Sequence, residues 1–146
     1  MRVLVVRVGR LRCAVSLEHV AETMRPLPIE PMRAAVSFVR GVSVIRGAAV
    51  PVVDLAAILG CASGAASRLV TLRVSDRQVA LEVDEVIGVR VLDSATLGDT
   101  PPLLSDDSAA YQAIATLDSE VLVLLCAARI LPEDHWRSLE PAGSAP

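Results

Sequence analysis

Short runs of apolar residues, separated by turn residues, fill most of this chain of 146 residues. Two such runs, residues 3–8 and 11–17, flank a Gly-Arg pair, which predicts two strands joined by a tight turn. The β-branched runs 41–45 and 49–53 lie on either side of Gly47. Because glycine accepts the positive φ of a tight turn, a second pair of strands is predicted there.

The second half of the chain repeats this pattern. Runs at 68–74, 79–83 and 86–92 predict three more strands, and 111–117 with 120–126 predict a closing hairpin. The chain is therefore expected to be nearly all β.

Only short helices are predicted. Asp54 stands where an N-cap is needed before residues 55–59, and Gly60 can end that helix. A terminal helix is predicted over 127–136, with Pro132 limiting it to about 127–131.

The remaining segments are predicted to be irregular. Residues 16–23 are too short to predict a helix, and the three prolines of 25–31 require an extended chain or a loop. Residues 93–108 form a long polar loop, which is expected to be functional or mobile, and 137–146 a disordered tail. Pro51 lacks a ladder donor, which predicts that its strand lies at an edge or a bulge.

The two halves of the sequence resemble each other. Residues 10–20 align with 76–86, and residues 50–59 align with 121–131. Short strands can also match by chance, so the pattern alone does not distinguish a repeat from coincidence. If the repeat is real, it predicts two small barrels, from residues 1–67 and 68–136, that meet near 63–70.

Composition excludes several classes of protein. The net charge is −3, and the 14 basic residues, all arginine, form no cluster of the kind that binds nucleic acid. The longest apolar run, 121–128, is far shorter than the roughly 18 residues that span a bilayer. The N-terminus lacks a secretory pattern, so the protein is expected to be cytoplasmic, with no direct membrane insertion.

Candidate chemistry is sparse. The three cysteines are widely spaced, which favours buried apolar side chains over a disulfide framework or a metal site, and neither histidine has a second ligand at a metal spacing. Asp84 and Glu85 are adjacent and are expected to point to opposite faces of a strand. No nucleophile or phosphate motif is present, so neither an enzyme nor a cofactor is expected.

Arg46 is the unexplained residue, because it interrupts an otherwise apolar segment. One interpretation is a strand-end arginine with its head in water and its stem on apolar surface. The other is a rigid guanidinium fork that Glu18 or Glu22 holds and offers to a partner. The residues alone do not separate the two.

The stretch FVRGVSVIRGAAVPVVDLAAILG, residues 38–60, resembles the pattern of the CheW-like family of chemotaxis adaptors. The matching positions are Gly41, Arg46, Gly47, Pro51, Asp54 and Leu55. Weaker similarities lie at Val20 and Glu22, and at Val83, Asp84 and Val86. Together with the closing hairpin, the resemblance covers roughly residues 3–131.

The resemblance implies a single domain, residues 1–136, of two SH3-like five-stranded barrels with short helices. It implies a non-enzymatic adaptor that couples the cytoplasmic tips of chemoreceptors to the regulatory domain of a CheA-type histidine kinase, at membrane- or nucleoid-associated receptor arrays. No kinase or receiver domain is evident, so a stand-alone adaptor is expected. The implied partner-binding residues lie around a groove between the barrels: Val20, Glu22, Val44, Arg46, Gly47, Val86 and Gly88. The implied structural residues are Gly41, Pro51, Asp54, Leu55 and Asp84.

Two departures from the family pattern keep alternatives open. Val44 stands where the family often has Asn, and Cys126 where it often has Asp. An adaptor that binds receptor but not kinase is one alternative. A small-ligand-binding β-barrel sensor is another, which a deep, closed apolar pocket would favour, and a small enzyme is the third, which clustered titratable groups would favour.

Overall fold

Eleven strands form two antiparallel-rich sheets in the computed structural model of this chain, which describes residues 1–32, 37–61, 66–93, 97–98 and 111–131. The strands are β1 (Arg2–Val8), β2 (Leu11–Ser16), β3 (Val20–Met24), β4 (Val39–Ile45), β5 (Ala48–Asp54), β6 (Arg68–Val74), β7 (Arg77–Val83), β8 (Glu85–Val91), β9 (Leu97–Gly98), β10 (Tyr111–Leu117) and β11 (Glu120–Leu125). An α-helix, α1 (Leu55–Leu59), follows β5, and 3-10 turns at Leu17–His19 and Ala127–Arg129 are also among the described elements.

Each sheet contains five strands of five or more residues. The first has the order β8-β1-β2-β11-β10 and carries the two-residue β9 at its end, and the second has the order β3-β6-β7-β5-β4. We call them the first and second barrel. The all-β, two-barrel prediction is confirmed.

The sequence repeat had predicted one barrel from residues 1–67 and one from 68–136. The barrels do not divide the chain in this way. Residues 20–83 supply the whole second barrel, whereas 2–16 and 85–125 supply the first. The two halves share one strand order, but each half is divided between the barrels: β3, β4 and β5 join β6 and β7, whereas β8 to β11 join β1 and β2. The crossing points are the 3-10 turn at Leu17–His19 and Asp84.

Two predicted segments differ from the structure. Strand β3 was not predicted, because its five residues alternate apolar and polar side chains over too short a run and pairing with β6 decides its conformation. The terminal helix is instead a three-residue 3-10 turn. Residues 132–136, most of the connector 63–67, most of the loop 93–108 and the tail 137–146 lie outside the described residues.

Three apolar clusters explain why so many strands read as continuous hydrophobic runs. The largest lies between the barrels and joins side chains of β1 and β2 to side chains of β5, β6, β7 and β11. A smaller cluster fills each barrel. The two faces of β1 belong to different clusters: Leu4 and Val6 join the cluster between the barrels, whereas Val3 and Val5 fill the first barrel. Strands buried on both faces have no polar alternation to show.

Proline-rich residues after β3 pair with β4 and close the second barrel. The Glu30 N–H donates to the Val42 carbonyl at 2.8 Å, the Val42 N–H donates back at 2.9 Å, and the Ser43 hydroxyl donates to the Pro28 carbonyl at 2.8 Å. Because Val42 bonds toward Glu30, its opposite residue Pro51 also points its backbone groups away from β4.

The missing donor of Pro51 had predicted an edge strand or a bulge. Pro51 lies at neither. Strand β5 is between β4 and β7, but it pairs with β7 only from Val52 to Asp54. Pro51 precedes that paired part, so its missing N–H removes no ladder bond.

Gly41 provides a test of this closure. Its φ is 147°, and a Cβ there would lie 2.1 Å from the Glu30 carbonyl oxygen. We expect Gly41→Ala to lower the free energy of unfolding by more than about 1 kcal/mol, since strain and a backbone clash add. Urea unfolding followed by circular dichroism measures it.

Gly60→Ala is the matched control for Gly41→Ala. Gly60 also has a positive φ, 69°, but no atom lies within 4 Å of the position that an alanine methyl group would take there. It should therefore show the conformational strain without the clash. Equal losses in the two variants would mean that the contact with Glu30 does not close the barrel.

Candidate functional site

The Arg46-Gly47 pair forms the two-residue turn between β4 and β5. Its φ values are 50° at Arg46 and 79° at Gly47, and Ile45 pairs directly with Ala48. Positive φ at both central residues defines the type I′ turn, which normally prefers Asn-Gly because large side chains are strained there. The sequence had suggested positive φ only for Gly47.

Arg46 uses its guanidinium as a fork on Glu22. Nε donates to Oε1 at 3.0 Å and the Nη2 group donates to Oε2 at 2.8 Å. Glu18, the other predicted partner, instead lies 3.6 Å from Nε2 of His19. The fork is bidentate and planar, a geometry that lysine cannot reproduce.

Glu22 is aimed at Arg46 by a bulge in β3. The pairing of β3 with β6 shifts register between Val20 and Glu22. There the buried Thr71 hydroxyl accepts a hydrogen bond from the Glu22 N–H at 3.1 Å and lies 3.2 Å from the Glu22 carbonyl oxygen, to which it donates. Bulges commonly re-aim a side chain in this way. Thr71 escaped the sequence analysis, and its only signal is a hydroxyl in an otherwise apolar run.

The Arg46–Glu22 pair spans the two ends of the second sheet. Glu22 lies on β3, the first strand in the sheet order, and Arg46 follows β4, the last. The pair therefore fastens the barrel on the outside, where the Arg46 side chain is 80% exposed and that of Glu22 is 29% exposed.

These hydrogen bonds set the charge of both groups. Arg46, through its hydrogen bonds and then its charge, holds the pKa of Glu22 below its ordinary value, although partial burial works in the opposite direction. Hydrogen bonding to Glu22 in turn raises the pKa of Arg46. The site is thus a fixed ion pair at neutral pH.

The other predicted partner-binding residues are apolar valines and a glycine. Val44, two residues before Arg46 on β4, is 71% exposed. Val20 and Val86 are partly buried and pack on the cluster between the barrels. Gly88 lies at a bulge in β8 with φ 144°. The predicted partner-binding residues thus lie on β3, β4, the β4–β5 turn and β8, and these elements belong to both barrels.

Asp84 holds the second crossing point. Its Oδ2 accepts from the Gly9 N–H at 2.8 Å and lies 3.6 Å from the Nη1 group of Arg7. Arg7 also donates through Nε to Glu85 at 3.0 Å. The long Arg7 side chain thus reaches both carboxylates, through different nitrogen atoms.

The other structural residues lie around α1 and β4. Asp54 caps the helix by accepting from the Ala56 N–H at 3.1 Å, and Leu55 is fully buried behind it. Gly60 ends the helix in the left-handed conformation.

The other titratable groups with shifted pKa values in the described part of the chain are two cysteines and Glu82. No group of three or more His, Cys, Asp or Glu side chains there could hold a metal ion. All three cysteines are free, and burial raises the pKa of Cys13 to about 12. Burial also raises the pKa of Glu82, against the attraction of Arg40, whose Nη1 group lies 3.2 Å away.

Pockets among the described residues include ones of about 50, 480 and 290 Å³, and each of these three is open to solvent. No helix in the described ranges is long and apolar enough to cross a membrane. The fold and the site thus define a two-barrel β protein that carries an exposed bidentate ion pair, Arg46–Glu22, on its second barrel.

Comparison with known proteins agrees with this class. The sequence model of the CheW-like domain family matches residues 2–135, so the chain belongs to the CheW-like domain family. The resemblance found in the sequence is confirmed.

Individual relatives are more distant. The chain is 26% identical to "Chemotaxis protein CheW" of Rhizobium meliloti (strain 1021), over 88% of this chain and 86% of that protein. It is 29% identical to "Protein FrzA" of Myxococcus xanthus, over 91% and 86%. The scaffolding protein TtCheW from Thermoanaerobacter tengcongensis has the same fold, with a TM-score of 0.76, 22% identity, and coverage of 85% of this chain and 87% of that one.

Substitutions at Arg46 test the turn. We expect Arg46→Asn to be the most stable of three variants, Arg46→Ala to be less stable, and Arg46→Val to be the least stable. All three lose the fork, so the differences report only how well each residue accepts positive φ. Chemical unfolding of the three variants measures the order. Identical stabilities would mean that the turn is not type I′ in solution.

Acid titration tests the ion pair. Because the pKa of Glu22 is lowered in the folded state, the contribution of the pair is fully present above the unfolded pKa and is lost as the pH falls through the lowered folded value. We expect the Glu22 carboxyl, followed by carbon-detected NMR, to titrate at a lower pH in the wild type than in Arg46→Ala. Coincident titrations would contradict the geometry.

Proposed function

We propose that this protein is a non-enzymatic adaptor of bacterial chemotaxis signalling that couples the cytoplasmic tips of chemoreceptors to the regulatory domain of a CheA-type histidine kinase. Membership of the CheW-like domain family supports an adaptor role, and the names of its relatives support chemotaxis. We place it in the cytoplasm at receptor arrays, and expect no metal, cofactor or nucleic acid to take part.

The observation that carries the proposal is the Arg46–Glu22 fork. Arg46 is mostly exposed, yet two hydrogen bonds fix its side chain. A partner that contacts it therefore meets a guanidinium whose conformation is already set, so less side-chain freedom is lost on binding. Exposed ion pairs contribute little to the free energy of unfolding. Stability alone is therefore a weak reason for an exposed arginine at this position.

The surface beside the fork indicates the kind of partner. Val44 supplies an exposed apolar side chain on β4, and Val20 and Val86 supply partly buried ones on β3 and β8. Apolar contacts around one oriented arginine suit the apolar face of a helix, as in other helix-in-groove complexes. A helical receptor tip fits that description, and its binding should depend only modestly on salt.

Removal of the fork should weaken receptor binding. We expect Arg46→Ala to raise the Kd for a soluble receptor tip roughly tenfold or more, as truncation of a central arginine does at other interfaces. Arg46→Lys should recover only part of the loss. Calorimetry measures the affinities, and Arg10→Ala, which alters an exposed arginine in the β1–β2 turn, is the control. Wild-type affinity in Arg46→Ala would place the receptor contact elsewhere.

A double-mutant cycle separates orientation from simple charge. Glu22→Gln and Arg46→Ala should each weaken receptor binding, and the double variant should lose less than the sum, because both remove the same oriented guanidinium. Strictly additive losses would mean that Glu22 does not position Arg46 for the partner.

Separate titrations with the receptor tip and the kinase regulatory domain decide between the two forms of adaptor. Binding to both supports coupling. Binding to the receptor tip alone supports the specialised adaptor, which Cys126 at a family aspartate position had raised. Binding to neither contradicts the proposal.

A further inference from the structure

A cleft opens in the second barrel where β5 and β7 separate. The two strands pair in parallel only over Val52–Asp54 and Ala80–Glu82. Residues 48–51 of β5 therefore have no ladder partner on this side, and a pocket of about 290 Å³ lies there. We call it the β5–β7 cleft. Arg73, Arg77 and Gln78 line its other wall, with Asp76 in the adjoining turn.

The first barrel contains the equivalent position, where an ion pair crosses the gap and the pocket beside it is only about 50 Å³. Strands β11 and β2 also pair in parallel over a short central stretch, at Val123 and Leu124. Beyond it, Glu120, the first residue of β11, forms an ion pair with Arg12, the second residue of β2. One carboxylate and one guanidinium thus bridge the gap between the separating strands.

The second barrel lacks this bridge. The first residue of β5 is Ala48 and the second of β7 is Gln78, so neither charge is present. Ala48 and Ala49 are small and exposed. What remains is the space that a side chain such as Glu120 would occupy, with cationic groups on the opposite wall.

Charge favours an acidic occupant. Arg73 lies directly opposite Gln78 in the β6–β7 pair, is exposed, and takes part in none of the ion pairs among the described residues. Arg77 adds a second positive charge against the single negative charge of Asp76. In a protein of net charge −3, this is a local cationic site beside small apolar side chains and unpaired strand backbone.

We propose that the β5–β7 cleft binds an extended, acidic segment of a partner protein. A carboxylate of the segment lies between Arg73 and Gln78, where it can accept hydrogen bonds from both, as Glu120 accepts from Arg12 in the first barrel. Small neighbouring side chains of the segment rest on Ala48, Ala49 and Pro51. The site is distinct from the Arg46–Glu22 fork and does not depend on the proposed function.

NMR titration of the full, nitrogen-15-labelled chain tests the proposal. The probe is an acetylated and amidated peptide, Ala-Glu-Ala-Glu-Ala, and its matched control has Gln in place of both Glu residues. We expect saturable shifts at residues 48–51 and 73–78 with the Glu peptide, decreasing with salt, and none with the Gln peptide. Equal binding of the Gln peptide, shifts centred elsewhere, or no saturable shift would overturn the proposal.

Two variants locate the effect. Arg73→Glu should weaken binding of the Glu peptide about fivefold, because it replaces one exposed charge pair by a repulsion, whereas Arg10→Glu should not change it. Ala48→Glu combined with Gln78→Arg introduces the bridge of the first barrel and should also abolish binding. Unchanged binding in either cleft variant, with a native-like spectrum, would contradict the assignment.

Two further measurements distinguish this site from a general anion site and from the receptor-binding surface. Inorganic phosphate that displaces the peptide and causes the same shifts would indicate a general anion site and overturn the peptide proposal. Arg73→Glu should keep wild-type affinity for the receptor tip, and Arg46→Ala should keep the peptide shifts. Failure of one proposal therefore leaves the other standing.

Discussion

The apolar layer between the two barrels is the constraint on which the rest of this structure depends. Strands β1 and β7 contribute side chains to that layer from one face while their other face fills a barrel. Neither barrel could leave the other without exposing Val, Leu and Ile side chains to water, which is unfavourable in proportion to the apolar area exposed. The two barrels are therefore expected to behave as one folding unit.

The crossing of the chain between barrels reinforces this unit. Strands β3 and β8 each follow a hairpin of one barrel and are the first of several strands that the chain then adds to the other barrel. At one crossing point Asp84 accepts a hydrogen bond from Gly9 and forms an ion pair with Arg7. Arg7 on β1 is therefore bound to Asp84 and Glu85, which are far from it in sequence. The candidate site benefits directly, because β3 carries Glu22 to the turn that carries Arg46.

A charged pair with little expected stabilising value thus occupies a strained turn on the surface. Arg in place of Asn in a type I′ turn has an unfavourable backbone conformation. Exposed ion pairs rarely contribute enough free energy to offset that strain. Sites that break a local rule in this way are commonly functional. The β5–β7 cleft is a second such site, because the second barrel lacks the ion pair that Arg12 and Glu120 form at the equivalent position of the first barrel.

The sequence by itself determined the features that depend on neighbouring residues: the hairpins around Gly47 and Asp118-Ser119, the cap at Asp54, the helix end at Gly60, and the near-complete β content. Turn chemistry and apolar runs are local, so they can be read without knowing the fold. Only the tertiary structure decided that β3 is a strand, that residues 20–83 form one barrel, and that Glu22 rather than Glu18 holds Arg46. Those outcomes depend on which distant strand β3 meets, since pairing with β6 and the Thr71 hydroxyl turns Glu22 toward Arg46 while Glu18 stays at the crossing turn.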